Sequence, residues 1–214
     1  LLPYIYTAAE VAARTGIPVV RPLVFEYQND PATHTLDDQY TLGPDLLIAP
    51  VFAADTERDV YLPEGEWRDH WTDEYHEGGR WVTVDAPLER QPMFVRAGSV
   101  VPQREPTQRT RPGTPEHLEL HATVGRGREV AEGRVYDEDA DTMVSVTVDH
   151  DGQRVTVECG EVSAGAVTVV LRTADQVSTP AALVVNGESL ARVGEDPDAG
   201  EWAVTDTGSV VAQW

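Results

Sequence analysis

The side chains in this sequence that are best placed to act together chemically are four acids in one short segment. They are Asp137, Glu138, Asp139 and Asp141. Their alternating spacing is similar to that of calcium-binding loops, in which carboxylate oxygens surround a divalent cation. Thr142 occupies the sixth position, where such loops need glycine, and Val148 the twelfth, where they need glutamate. We therefore interpret the segment as a solvated turn and predict no metal site.

Aromatic residues form a second group with a possible chemical role. They are Tyr61, Trp67, Trp71, Tyr75 and Trp81. Exposed aromatic faces can bind the apolar C–H surface of sugar rings, but Trp and Tyr also bury large areas in β-sandwich cores. Because Trp67 follows a Pro-Glu-Gly turn where it can pack against a neighbouring domain, burial is the favoured interpretation and sugar binding is the alternative.

The six histidines do not have the spacing of a metal or nucleophile site. They are His34, His70, His76, His117, His121 and His150. His117 and His121 fall on one face of a predicted strand, but residues four apart are roughly 13 Å apart along it. No Gly-x-Ser-x-Gly elbow is present, so a serine hydrolase triad is rejected. The sequence thus predicts no catalytic, cofactor-binding or metal-binding residue and no cofactor.

Cysteine and charge content restrict the possibilities further. Cys159 is the single cysteine, which excludes an intramolecular disulfide and a cysteine-built zinc site. The chain has 37 Asp and Glu against 16 Lys and Arg, a formal net charge of −21. A surface this acidic excludes nucleic acid as a partner. Every basic residue is Arg, which leaves two explanations open: adaptation to high salt, or a coding bias.

No apolar run approaches the roughly 18 residues of a membrane span, so we expect a soluble protein with no membrane partner. A cytoplasmic location is slightly favoured. The chain begins Leu-Leu-Pro rather than with Met, and we expect that a preceding segment has been removed or lost.

Helical signals are confined to the start of the chain. Apolar spacing predicts a helix over Leu2–Thr15 with Gly16 as its stop. The apolar run Ile17–Tyr27 predicts a strand buried on both faces. Thr35, with an acid three residues later, predicts the start of a short helix that ends near Gly43.

From Asp45 onward the pattern is typical of antiparallel β-structure, with short apolar runs between turn residues. The runs before the proline-rich segment are Leu46–Phe52, Val60–Pro63, Trp81–Val84, Met93–Val95 and Ser99–Pro102. Alternating runs follow it at His117–Ala122, Met143–Val148, Arg154–Glu158 and Val167–Leu171. The segment between them has three prolines and no large apolar residue, which predicts a linker and a second β-sandwich beyond it.

Several stretches together resemble glycoside hydrolase family 31. They are Leu1-Leu2-Pro3-Tyr4-Ile5-Tyr6, Pro18-Val19-Val20-Arg21-Pro22-Leu23-Val24-Phe25-Glu26-Tyr27, Asp37-Asp38-Gln39-Tyr40-Thr41-Leu42-Gly43-Pro44-Asp45-Leu46-Leu47-Ile48-Ala49-Pro50-Val51, Tyr61-Leu62-Pro63-Glu64-Gly65-Glu66-Trp67 and Pro92-Met93-Phe94-Val95-Arg96-Ala97-Gly98-Ser99-Val100-Val101-Pro102. Their order and spacing cover about the first half of the chain. Farther on, Tyr136-Asp137-Glu138-Asp139 is similar to the family's Tyr-Glu-Asp-Asp-Gly turn, with Ala140 in place of the glycine.

The resemblance implies a mainly β fold: two C-terminal β-sandwich domains preceded by the last helix and strand of a (β/α)₈ barrel. It assigns residues 1–45 to the barrel, 46–103 to a proximal sandwich, 104–115 to a linker and 116–214 to a distal sandwich. Family members are retaining α-glycosidases that use two aspartates. Both lie upstream, and the family's Trp-x-Asp-Met-Asn-Glu motif is absent from this sequence. The resemblance therefore implies a catalytically inactive fragment.

The expected partners are the missing N-terminal barrel and, in a second role, an α-linked oligosaccharide. Glu26, Tyr27 and Asp30 would lie at the catalytic face of the complete barrel. They would either support the sugar pocket or be ordinary loop residues, and the second interpretation is favoured. A stand-alone carbohydrate-binding or scaffold module is the alternative function. Whether the complete enzyme cleaves α-glucosides or α-xylosides stays open, because the determinants of that choice would lie upstream.

Overall fold

A computed structural model describes residues 1–109, 113–126, 130–151, 153–174, 182–192, 198, 200–204 and 210–214. About half of them lie in β-strands and far fewer in helices, which confirms the predicted mainly β fold class. The chain divides into two compact units, which we call the proximal unit, residues 11–97, and the distal unit, residues 1–10 with 98–214. The predicted domain boundaries stay a prediction.

The first helix agrees with its prediction. Helix α1 covers Leu2–Thr15. Gly16 follows it with a φ of 78°, and its N–H donates to the Ala12 carbonyl at 2.8 Å. A left-handed residue closing the last turn is the usual way in which glycine ends a helix.

The long buried strand predicted for Ile17–Tyr27 is wrong. The structure has a three-residue strand β1, Val20–Pro22, followed by a helical turn α2, Leu23–Glu26. Two prolines in this run lack the N–H that a strand ladder needs. The Val20 side chain is also 54% exposed, so the run is not buried on both faces.

The short helix predicted to begin at Thr35 is also wrong. A 3-10 helix at Pro31–Thr35 ends where the prediction began. Asp30 caps it, because its Oδ1 accepts from the Ala32 N–H at 3.0 Å. Proline at the first position of the helix lacks only an N–H that would have no helical partner there. The chain then enters strand β2, Tyr40–Leu42.

Six further strands of the proximal unit fall among the described residues. They are β3 (Leu46–Ile48), β4 (Glu57–Leu62), β5 (Glu66–Asp69), β6 (Tyr75–Glu77), β7 (Arg80–Asp85) and β8 (Met93–Arg96). An antiparallel sheet runs in the order β1-β2-β3-β8-β5-β6, and β4 pairs with β7 as a separate two-stranded sheet. Leu47, Phe94 and Trp67 from the larger sheet pack with Val60 and Leu62 from the β4–β7 pair in one core. The β4–β7 pair therefore covers one face of the larger sheet.

The described strands of the distal unit form one continuous β-sheet. They are β9 (Ser99–Gln103), β10 (His117–Val124), β11 (Val130–Asp137), β12 (Thr142–His150), β13 (Arg154–Cys159), β14 (Ala166–Thr173), β15 (Ala182–Val185), β16 (Glu188–Ser189), β17 (Ala191–Arg192), β18 (Glu201–Val204) and β19 (Val210–Gln213). Their order is β16-β15-β13-β12-β11-β9-β10-β14-β19-β18-β17. Leu183 of β15 and Trp202 of β18, from opposite halves of this sheet, share one core. The two halves of the sheet therefore pack face to face as a β-sandwich.

Strand β9 lies near the middle of the distal sheet. It pairs antiparallel with β10 and parallel with β11. Gly133 of β11 passes close to it: a Cβ built on Gly133 would lie 2.4 Å from the Val100 carbonyl oxygen. Only glycine permits this approach of two backbones.

Candidate functional site

The acidic turn between β11 and β12 is not solvated throughout, which corrects the sequence interpretation for Asp137. This side chain is fully buried. Its Oδ1 accepts from the Thr114 hydroxyl at 2.6 Å and from the N–H groups of Asp139 and Ala140 at 3.1 and 3.2 Å. Its Oδ2 accepts from the Ser163 N–H at 2.6 Å. The carboxylate thus joins three segments of the distal unit.

The hydrogen bonds decide the charge state of Asp137. Burial by itself would raise the pKa of this carboxyl. The hydrogen bonds from Thr114, Ser163 and Ala140 favour the ionised form, and together they lower its pKa from 3.8 to about 2. Asp137 is therefore an anion at neutral pH, and its role in this environment is structural.

The other acids of the turn also have partners within the protein. Glu138 Oε2 accepts from the Gly113 N–H at 2.8 Å, and Asp139 Oδ2 accepts from the Thr114 N–H at 3.1 Å. The Tyr136 hydroxyl donates to Asp141 Oδ1 at 2.8 Å. These contacts fasten the end of the predicted linker to the β11–β12 turn.

The three residues placed at a barrel face, Glu26, Tyr27 and Asp30, are brought together. They line a groove of about 460 Å³ in the proximal unit. Asp30 Oδ2 accepts from the Tyr61 hydroxyl at 2.6 Å, and Glu26 forms an ion pair with Arg21. Both carboxylates therefore have partners within the protein.

Two tyrosines of the groove have perturbed hydroxyl groups. Burial is the main cause that raises the pKa of Tyr27 to about 12. The pKa of Tyr61 also rises to about 12, first through burial and then through its hydrogen bond to Asp30 and the charge of that carboxylate. Both hydroxyls stay protonated at neutral pH, so Tyr61 serves as a fixed donor to Asp30.

The aromatic group divides into buried and exposed members. Trp67 is fully buried and its Nε1 donates to the Pro63 carbonyl at 2.9 Å, which confirms the core interpretation for this residue. Trp71 and Trp81 are 45% and 54% exposed. The Trp81 ring lies 5.5 Å from the Tyr61 ring, centroid to centroid. Of the five aromatic residues, Trp71 and Trp81 are the exposed ones and offer the most surface for sugar stacking.

Trp71 is held in a tight turn after β5. Asp69 Oδ1 accepts from the Trp71 N–H at 2.7 Å and from the Thr72 N–H at 3.1 Å. The Trp71 Nε1 donates to the Gln91 carbonyl at 2.7 Å. These contacts fix the orientation of the Trp71 ring.

The predicted strand histidines are separated, as the spacing of a strand requires. His121 Nε2 is 2.8 Å from Glu119 Oε2, and Arg172 Nη1 is 2.8 Å from His121 Nδ1. His117 instead contacts the Thr168 hydroxyl at 2.7 Å. Among the segments that the structure describes, no three His, Cys, Asp or Glu side chains are grouped so as to hold a metal ion.

Within the same described segments, no helix has both the length and the apolar character needed to cross a membrane.

Cys159 is a free, buried thiol, and burial raises its pKa to about 11. A thiol with so high a pKa is a poor nucleophile at neutral pH.

Comparison with known proteins decides the family. Residues 16–101 match the model of the glycosyl hydrolase family 31 C-terminal domain. Alpha-glucosidase 2 of Bacillus thermoamyloliquefaciens is 38% identical over 168 residues, 78% of this chain. An alpha-xylosidase of Saccharolobus solfataricus is 35% identical over 171 residues, 73% of this chain. The chain belongs to glycoside hydrolase family 31 and corresponds to the C-terminal part of its members.

The fold supports the same assignment along the whole chain. A solved family 31 dextranase of Flavobacterium johnsoniae superposes with a TM-score of 0.83 over 100% of this chain, at 27% identity. This chain covers only 29% of that structure, and 21% and 23% of the two curated relatives. The family 31 relatives are therefore several times longer than this chain.

The departure from the family's Tyr-Glu-Asp-Asp-Gly turn has a structural explanation. Ala140 occupies the glycine position, but the residue with a left-handed backbone is Asp141, whose φ is 49°. Asp tolerates this conformation better than most non-glycine residues. The turn therefore forms with alanine at position 140.

Sequence reasoning missed the residues that complete both acid sites. Thr114 and Ser163, which bind Asp137, lie 23 and 26 residues away along the chain. Glu64, which lines the groove, lies in the Pro-Glu-Gly turn directly after β4. Glu64 could have been linked to this site through its proximity to Tyr61 in sequence, whereas no sequence feature linked Thr114 and Ser163 to Asp137.

Proposed function

We propose that this chain is the non-catalytic C-terminal portion of a retaining α-glycosidase. The observation that carries the proposal is the similarity to alpha-glucosidase 2 over 78% of this chain, which spans only 21% of that relative. The geometry supports it, because the carboxylates of the acidic turn and of Glu26 and Asp30 either accept hydrogen bonds from the protein or form an ion pair with it. A retaining glycosidase needs two carboxyl groups about 5–5.5 Å apart that face the substrate.

In the complete protein, one carboxylate would attack the sugar and a second would act as acid and base. Both would come from the upstream barrel. This chain would contribute residues 1–45 as the end of that barrel, 46–103 as the proximal sandwich, 104–115 as the linker and 116–214 as the distal sandwich. An α-linked glucoside or xyloside is the proposed substrate class, and a cytoplasmic location is part of the same proposal.

The proposal is tested by comparing this chain with the complete gene product on chromogenic α-glucosides and α-xylosides. We expect hydrolysis by the complete protein only, and a complete protein several times heavier than 23.4 kDa. Removal of the distal unit's residues 116–214 should lower the melting temperature of the complete protein without changing its substrate preference. Hydrolysis by the purified 214-residue chain would contradict the proposal.

A second candidate function is carbohydrate binding by the chain itself. The observation that favours it is the pair of exposed tryptophans, since Trp71 and Trp81 each present about half of their surface to solvent. The indole face is a good surface for a sugar ring. Titration with maltose-type and xyloglucan-type oligosaccharides tests this role independently of hydrolysis.

A further inference from the structure

The antiparallel pair of strands β4 and β7 presents a fixed aromatic surface. Tyr61 and Trp81 are directly opposite each other in its register. Their rings are inclined by 58°, and Tyr61 is only 7% exposed while Trp81 is 54% exposed. A tryptophan supported by a buried neighbour offers a large apolar surface whose ordering on binding costs little entropy.

Acidic acceptors lie in the groove beside this aromatic pair. Tyr61 forms one wall of it, with Asp30, Glu64 and Gly79 nearby in the lining. Trp81 adjoins the groove through Tyr61, its ring centroid 5.5 Å from that of Tyr61, rather than as one of the described lining residues. Asp30 is held in place by the Tyr61 hydroxyl at 2.6 Å. A carboxylate oxygen has further lone pairs that can accept from ligand hydroxyls.

The charge of the groove restricts the ligand class. Glu26, Asp30 and Glu64 line it, and the described lining residues include no Arg, Lys or His. An anionic ligand would be repelled by these carboxylates. A glucose-type ring carries equatorial hydroxyls around its rim and axial C–H bonds on its faces. Such a ring can stack on an indole and donate to carboxylates at the same time.

We propose that Trp81, Asp30 and Glu64 form a binding site for a neutral glucose-type oligosaccharide on the proximal unit. The Trp81 indole stacks on one sugar ring, and the Asp30 and Glu64 carboxylates accept from its hydroxyl groups. The proposal deepens the second candidate function by naming the site, and it does not depend on the glycosidase role.

The test is calorimetric titration of the 214-residue chain with maltotriose and with isomaltotriose. We expect millimolar binding of at least one of them, and Trp81→Ala should weaken it about tenfold or more. Glu64→Gln should weaken it about threefold, because an amide oxygen is a weaker acceptor than a carboxylate. Trp71→Ala is the matched control, because it removes the other exposed tryptophan and should change affinity less than about twofold.

Circular dichroism melting of each variant separates loss of binding from loss of folding. Trp81→Phe, which keeps an aromatic face, should recover most of the affinity. Unchanged affinity in Trp81→Ala would overturn the site but leave carbohydrate binding intact. No binding of either sugar up to about 10 mM would overturn both, while the glycosidase proposal would stand on its own test. Binding of spermidine in preference to the sugars would assign the groove to cationic ligands and overturn the proposal.

Discussion

Asp137 in the distal unit and Asp30 in the proximal unit perform the same local task in different surroundings. Each lies in a turn, and each accepts from a hydroxyl and from backbone N–H. Asp137 is fully buried and has four protein donors, whereas Asp30 lines an open groove and has two. The number of donors and the access of solvent separate a carboxylate that stabilises the fold from one that can still bind a ligand.

Replacement of Asp137 should have the largest effect. Asp137→Ala leaves the Thr114 hydroxyl and the Ser163 N–H without their charged acceptor. Each hydrogen bond to a charged group contributes about 1.5–3 kcal/mol, and unpaired buried donors add to the loss. We expect the free energy of unfolding of the distal unit to fall by about 3–5 kcal/mol, measured by urea denaturation.

Asp139→Ala is the matched control in the same turn. Asp139 is exposed and its Oδ2 accepts from the Thr114 N–H at 3.1 Å, so the loss of this side chain should cost less than about 1 kcal/mol. Equal losses in the two variants would show that burial and donor number do not separate these acids.

Acid titration should separate the two sites next. The pKa of Asp137 is lowered from 3.8 to about 2 in the folded protein, so its contribution to stability is complete above pH 4. That contribution declines as the pH falls from about 4 to about 2, because the unfolded state then binds the proton more readily. Asp137→Asn should flatten this part of the stability curve. A wild-type curve as flat as that of the variant would refute the structural role given to the ionised form.

The Tyr61–Asp30 hydrogen bond should have a smaller effect. Tyr61→Phe removes a buried hydroxyl donor and should lower the free energy of unfolding of the proximal unit by about 1 kcal/mol. Thr83→Val is the control, since the Thr83 hydroxyl donates to Asp59 at 2.6 Å on the exposed part of the same β4–β7 pair. We expect a loss of less than about 0.5 kcal/mol there. If Thr83→Val is the more costly change, Asp30 is not fixed by Tyr61 in the way proposed.

The two sites also differ in how far the sequence predicted them. Alternation located β12 and β13 near Asp137, because side chains change face at every residue of a strand, and apolar runs located β4 and β7 near Asp30. No predicted run covered β11, which ends at Asp137. It did not predict the burial of Asp137, because Thr114 and Ser163 reach it through tertiary packing. The strand prediction for Ile17–Tyr27 was wrong because it relied on the apolar character of the run and gave too little weight to its two prolines, which lack the N–H groups that a strand needs.

The grouping of Glu26, Tyr27 and Asp30 was anticipated through the family resemblance, whereas the pairing of Tyr61 with Trp81 was not. Both residues fell in predicted strands, but the register of an antiparallel strand pair depends on its connection as well as its pattern. Seventeen residues that include β5 and β6 separate the end of β4 from the start of β7, so no short turn fixed that register.

Salt should produce the smallest of these differences and distinguish local from global electrostatics. The chain carries a formal net charge of −21, and repulsion between exposed carboxylates is screened within about 10 Å at 0.1 M salt. We expect the melting temperature to rise by a few degrees between dilute buffer and about 1 M sodium chloride. The loss caused by Asp137→Asn should be nearly the same in both, because a buried carboxylate is little screened. An unchanged wild-type melting temperature would refute salt adaptation and leave coding bias as the explanation for the absence of lysine.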